Sequence, residues 1–285
     1  MNRIVVVTGS SRGIGLATAL AFARAGDTVV ATVRDPTSAD ELLSAIAGTG
    51  GDAPIEVVGL DVTDDDAVTA VIGDVMARHG RIDVLVNNAG APFSATLEET
   101  PISELRRSME VNFFGVAKTT KAVLPAMREA GRGRLIAVTS LGGVVGQPFN
   151  DAYCAAKFAV EGLYESLYPV AANFGVHVSI VEPGPVDTRF DDKAMPVDPV
   201  AAAPFAVIKR NRDAVMESGA SRRQPPEEVG EIIVGIADEE NPVLRYQTGK
   251  LVSRIASMKI ADMTGERITA LTASWLKSPQ EARGE

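Results

Sequence analysis

Short β-branched apolar runs alternate with amphipathic helical stretches along most of this 285-residue chain. "RIVVVTG" (3–9) has the composition of a buried strand, and "GIGLATALAFARAG" (13–26) that of a helix closed by Gly26. "DTVVATVR" (27–34) is a second strand, followed by "SADELLSAIAG" (38–48), a helix with Ser38 as its N-cap. "IEVVGLDV" (55–62) is a third strand. In "TDDDAVTAVIGDVMARHG" (63–80) the acids come first and the bases last, as the helix dipole favours. Strands follow at "IDVLVNNAG" (82–90), "RLIAVTS" (134–140), "VHVSIVEPGPV" (176–186) and "VLRYQTG" (243–249), with long helical stretches over 101–130 and 151–174. Strands apolar on both faces need helices on both sides, which is the condition of a parallel sheet. Right-handed crossovers then predict a doubly wound α/β fold of about seven parallel strands. No internal repeat or low-complexity linker interrupts the pattern, so one domain over 1–285 is expected.

Composition narrows the function. A net charge of −9 argues against a general nucleic-acid or anionic-membrane surface. No apolar run reaches the roughly 18 residues of a membrane span. The start "MNRIVVVTGS" lacks the layout of a signal peptide, because its apolar run is short and leads into a turn. The single cysteine, Cys154, forms no internal disulfide, which fits a reducing, cytoplasmic setting. With two histidines only, His79 and His177, no metal site or Ser-His-Asp triad is expected.

"TGSSRGIG" (8–15) joins the first strand to the first helix. Gly9, Gly13 and Gly15 permit a tight turn, close approach to a phosphate, and close packing of helix on strand. The loop, with Ser11, Arg12 and Ile14, presents the free N–H groups of a helix N-terminus to a pyrophosphate. About 20 residues on, an acid at the end of strand two would bind a ribose 2′-hydroxyl. Here the strand ends "ATVRD", with Arg34 in that region and Asp35 one step further out. Arg12 and Arg34 together favour a 2′-phosphate, hence NADP(H). If both are solvated and Asp35 reads the ribose, NAD(H) is the cofactor instead.

In "YCAAK" (153–157), Tyr153 and Lys157 stand four apart, on one face of a helix. Together with "TGSSRGIG" (8–15), "LDV" (60–62), "NNAG" (87–90), "VN" (111–112), "TS" (139–140) and "PGPVDT" (183–188), this motif gives a chain that resembles the short-chain dehydrogenase/reductase family. The likeness covers roughly residues 3–190 and is nearest to the 17β-hydroxysteroid and retinol dehydrogenase-like branch. It implies a Rossmann fold. It also implies that Asp61 and Val62 contact the adenine, and that Asn88, Ala89 and Gly90 line the cofactor. Pro183, Gly184, Val186 and Thr188 would lie by the nicotinamide. Ser140, Tyr153, Lys157 and Asn112 match the family's catalytic four, Lys157 also bonding the nicotinamide ribose and Asn112 holding a water as a proton path.

The chemistry fits those residue types. A tyrosine phenol ordinarily titrates near 10, and a neighbouring ammonium favours the phenolate. Tyr153 then donates a proton in reduction and accepts one in oxidation. Ser140 holds the substrate oxygen as charge develops on it. Each residue also has a structural alternative. Ser140 suits the N-cap of a turn, Asn112 a buried hydrogen-bonder, and Cys154, Tyr164 and Tyr168 ordinary packing.

Residues 187–226 break the strand-helix rhythm, and a lid is expected there, with a C-terminal extension at about 250–285. The apolar Phe93, Val144, Val145, Phe149, Phe190 and Phe205 are expected to face a lipophilic ketone or secondary alcohol. Arg222 and Arg223 read as a solvated pair, with a distal carboxylate as the alternative. The resemblance implies a homodimer through the two long helices. A non-catalytic cofactor-binding regulator would not need the four catalytic residues together. A family epimerase or dehydratase would have a more polar C-terminal part.

Overall fold

A computed structural model describes residues 2–49, 53–190, 202–217 and 223–277. Seven strands, β1 (Ile4–Thr8), β2 (Thr28–Val33), β3 (Ile55–Gly59), β4 (Val84–Asn87), β5 (Gly133–Val138), β6 (Val176–Glu182) and β7 (Arg245–Gln247), form one sheet in the order β3-β2-β1-β4-β5-β6-β7. Every adjacent pair is parallel, as the doubly apolar strands predicted. This is the Rossmann-type arrangement, with helices on both faces.

The period-two pattern sorts side chains to the two faces. Val5 and Val7 of β1 join Phe22 of α1 (Gly13–Arg24), Leu42 of α2 (Asp40–Gly48) and Val229 and Ile233 further along. Ile4 and Val6 point the other way, towards Ile72 of α3 (Asp65–His79), Met127 and Tyr164. Full burial of a side chain such as Phe22 or Leu42 contributes roughly 1.5–3 kcal/mol. The sheet reverses its winding between β1 and β4, so a crevice opens beyond their carboxyl ends.

Several expectations are corrected. Ser38 does not cap a helix: Asp35 accepts from Thr37 N at 2.9 Å and opens a 3₁₀ turn, Pro36–Ser38. Proline suits that first turn because it has no N–H to satisfy, and α2 starts two residues beyond Ser38. The stretch 101–130 is helical as expected, from Ile102 to Ala130, with a break in its winding. It divides into α4 (Ile102–Met109), a π turn (Glu110–Phe114) and α5 (Gly115–Ala130). Gly115 is required at the junction, because a Cβ there would lie 2.7 Å from Val62. The second long stretch is α6 (Asp151–Ala172).

The region after β6 contains α7 (Ala206–Glu217) and then α8 (Pro226–Asp238). Met195, Pro196, Pro199 and Arg222, assigned to the expected lid, lie outside the described residues. α8 covers the sheet beside α1, where a Cβ on Gly230 would approach Ala17 to 2.9 Å. After β7, α9 (Lys250–Ala261) and α10 (Glu266–Ser274) fold back. Their Val252, Ile255 and Ile268 pack against Leu141 and Val145 in the loop after β5.

Candidate active site

The predicted strands 82–90, 134–140 and 176–186 end earlier than their apolar runs, at Asn87, Val138 and Glu182. The residues beyond those ends become the site's loops. They line a cavity of about 1400 Å³ at the sheet's reversal point. Gly9, Ser11, Arg12, Gly13, Ile14, Gly15, Arg34, Asp61, Val62, Asn88, Ala89, Gly90, Pro183, Gly184, Val186 and Thr188 all reach this cavity, as do Ser140, Tyr153 and Lys157.

The glycine loop has the conformation that its sequence requires. Gly9 and Gly13 have φ of +70° and +58°, in the left-handed region. A Cβ on Gly15 would meet Gly9 O at 2.3 Å and Asn88 Nδ2 at 2.4 Å. Asn88 Nδ2 donates to the carbonyls of Thr8 and Gly9, both at 3.0 Å, which ties the loop to β4. Behind it, Asn87 donates to Thr120 and to the buried Tyr164 hydroxyl, so Tyr164 serves the core.

Arg12 and Arg34 both line the cavity on the side of the glycine loop, and neither forms a salt bridge among the described residues. Asp35 turns away to Thr37, whose hydrogen bonds hold its carboxyl below the usual value. A cleft with backbone glycines and two uncommitted guanidinium groups fits a dinucleotide carrying an extra phosphate.

At the other end, Ser140 Oγ accepts from Gly142 N at 3.0 Å and caps a 3₁₀ turn. Its hydroxyl proton stays available for a substrate oxygen, so the cap and the catalytic position are compatible. Tyr153 lies one helical turn from Lys157, whose Nζ is 5.7 Å from the Tyr153 ring centroid. Lys157 is buried and donates to Val138 O at 3.0 Å. Burial lowers its pKa to about 8, against the opposing pull of Glu161.

Glu161 is one further turn along α6. Burial pushes its carboxyl up to about 7, although Thr139 donates to it at 2.7 Å and Arg245 at 3.0 Å. Arg245 also lies 3.5 Å from the buried Glu182. This carboxylate-arginine group beneath Lys157 was not found in the sequence, because Arg245 is distant in the chain and no local pattern marks it.

Asn112 differs from the other expected site residues in that it does not line the cavity. It is fully buried in the π turn. Its Oδ1 accepts from Ala91 N at 2.9 Å and its Nδ2 donates to Ala91 O at 3.1 Å, so it clamps the chain just beyond Gly90. Such one-turn bulges recur at functional sites. Cys154 packs in the interior, with its thiol pushed up to about 11 by burial.

The apolar wall is only partly as expected. Phe93 and Phe190 line the cavity, but Val144, Val145, Phe149 and Phe205 do not. Val144 and Val145 face the cluster made by α9 and α10, while Phe149 is buried under Lys209 and Arg212. Leu251, Ile255, Met258, Leu271 and Trp275 of the C-terminal helices replace them. Their amphipathic spacing signals helices, but not which loop those helices cover.

A family profile described as short chain dehydrogenase matches residues 3–197. The chain belongs to the short-chain dehydrogenase/reductase family. Human retinol dehydrogenase 8 is 35% identical over 92% of this short-chain dehydrogenase/reductase and 86% of its own length. A short-chain dehydrogenase from Streptomyces avermitilis superposes with a TM-score of 0.78 at 34% identity, covering 100% of this chain and 99% of that one. ElxO with NADP bound gives a TM-score of 0.71 at 27% identity, covering 88% of this chain and 99% of the other. This short-chain dehydrogenase/reductase is therefore an oxidoreductase by family. Among its described residues, no helix is long and apolar enough to cross a membrane.

Proposed function

We propose that the protein is an NADP(H)-dependent oxidoreductase interconverting a lipophilic ketone and its secondary alcohol, with Tyr153 as general acid/base. The observation that carries this reading is the shared cavity. It has Arg12 and Arg34 at one end and Ser140, Tyr153 and Lys157 at the other. NADP(H), when bound, supplies or receives the hydride. Gly9 to Gly15 would hold its pyrophosphate, and Arg12 and Arg34 its 2′-phosphate. Asp61 and Val62 would meet the adenine, and Val186 and Thr188 the carboxamide end.

The chain's own part is to position and to move a proton. Ser140 donates its free hydroxyl proton to the substrate oxygen. Tyr153 donates its phenolic proton to the same oxygen in reduction and takes it back in oxidation. The Lys157 ammonium favours the phenolate that this leaves. Asn112 is a positioning residue that fixes the chain beyond Gly90 through Ala91. The test is the fall of NADPH absorbance with a panel of aromatic, aliphatic and steroid ketones. Turnover of none of them, by protein that binds NADPH, counts against the reading.

Two outcomes follow from the same surfaces. Arg34→Ala raises the KM for NADPH about 10-fold and leaves that for NADH nearly unchanged, the size expected for one charge-assisted bond at an exposed site. Equal preference for the two cofactors in the parent enzyme refutes the phosphate assignment. The second concerns assembly. Ile102, Phe114 and Phe158 are exposed on α4 to α6, and this apolar face supports a homodimer. Light scattering at micromolar concentration then gives twice the mass of one chain.

A further inference from the structure

The wall supplied by α7 carries charge where an apolar lid was expected. Lys209 and Arg212 stand one turn apart on α7, and both line the cavity. Both converge on one neutral hydroxyl: Arg212 Nη2 donates to Ser94 Oγ at 3.0 Å and Lys209 Nζ at 3.4 Å. Both also lie over the Phe149 ring, at 5.4 Å for the guanidinium carbon and 5.9 Å for the ammonium. The Arg212 side chain is only 12% exposed. Its Nε lies 3.1 Å from Asp213 Oδ1 but has no aligned hydrogen bond. Asp213 is 3.7 Å from Lys209 and, among the described residues, is the single acid paired with the two cations.

Among the described residues, two cations, one acid and a serine leave one positive charge to be balanced. A desolvated guanidinium with an unused donor is costly to hold. Phe93, Phe190, Met216 and Trp275 supply apolar surface to the same cavity. We propose that Lys209, Arg212 and Ser94 form a binding site for a substrate carboxylate. The substrate is then an amphipathic oxo acid or hydroxy acid, whose reacting carbon lies at Tyr153 and whose acid group lies at α7. A single carboxylate matches the single net charge, and its two oxygens match the converging donors. This inference rests on the oxidoreductase reading above and specifies its substrate class.

The test uses matched pairs of long-chain or aryl oxo acids and their methyl esters, with the full-length enzyme and saturating NADPH. The acid is expected to have a KM about 10- to 100-fold below its ester, the size of one or two charge-assisted bonds. Arg212→Gln and Lys209→Met each reduce the acid-to-ester ratio of kcat/KM by at least about 10-fold, through KM. Ser94→Asp puts a carboxylate of the protein's own among the cations and brings the ratio to about one. This arm decides the matter if Arg212→Gln fails to fold. Ketones turned over with no preference for the acid overturn the inference and leave the oxidoreductase reading standing. Without turnover, calorimetry with the NADP-loaded protein separates the two: acid binding that beats the ester and is lost in Ser94→Asp supports the site while the reading falls.

Discussion

Tyr153→Phe lowers kcat at least about 10³-fold while the dissociation constant for NADPH changes less than about threefold. The phenol is the proposed proton donor, and general acid/base catalysis contributes typically about 10²–10⁴-fold. Phenylalanine keeps the ring and therefore its edge contact with Phe190, at 6.0 Å between centroids. Ser140, the neighbouring hydroxyl, is proposed to hold the oxygen and accepts from Gly142, so it does not stand in for the phenol. Stopped-flow hydride transfer and fluorescence titration with NADPH measure the two quantities separately. A variant with parental turnover removes Tyr153 from the mechanism. One that has lost NADPH affinity as well shows a structural lesion instead.

Lys157→Met produces a similar loss of turnover, on the order of 10²–10³-fold, but no loss of thermal stability at pH 7. The two effects have one source. The folded protein buries the ammonium, which lowers its pKa to about 8 from the ordinary 10.5. Below pH 8 both folded and unfolded chains carry the proton, and folding bears the full desolvation cost. Between pH 8 and 10.5 the unfolded chain holds the proton more strongly, so this residue's cost fades as pH rises. Methionine removes that cost at low pH while keeping the volume, at the expense of one bond to Val138 O. The Tm difference, variant minus parent, is therefore greatest at or below pH 8 and shrinks towards pH 10. A lower variant Tm at pH 7 contradicts the account. Glu161 acts in the opposite sense: its raised value, about 7, means stability is lost as pH climbs from 4.5 through 7.

The sheet was readable because each strand is a continuous apolar run, and such runs leave few arrangements open. The expected site residues were readable because each stands at a strand end or on one helix face. The expected residues other than Asn112 therefore came to one cavity. The surroundings of Asn112 were not readable, because a π turn cannot be told from an α-helix by apolar spacing; that turn directs its side chain to Ala91. The substrate wall was missed for a different reason. Lys209 and Arg212 on α7 lie more than a hundred residues from Ser94 in the loop after β4, and only the folded chain brings them together. The same holds for Arg245 against Glu161.

The family match ends at residue 197, whereas α7, α9 and α10 begin at 206, 250 and 266. Under the proposed function, the profile-matched portion carries the reacting groups, and the helices beyond it supply much of the surface that meets the substrate. Because α9 and α10 touch the loop after Ser140 through Leu141 and Val145, an exchange of this carboxyl-terminal piece between relatives is expected to transfer substrate preference. It would leave the nucleotide half untouched. One reaction core could in this way serve different molecules through exchange of a single carboxyl-terminal piece.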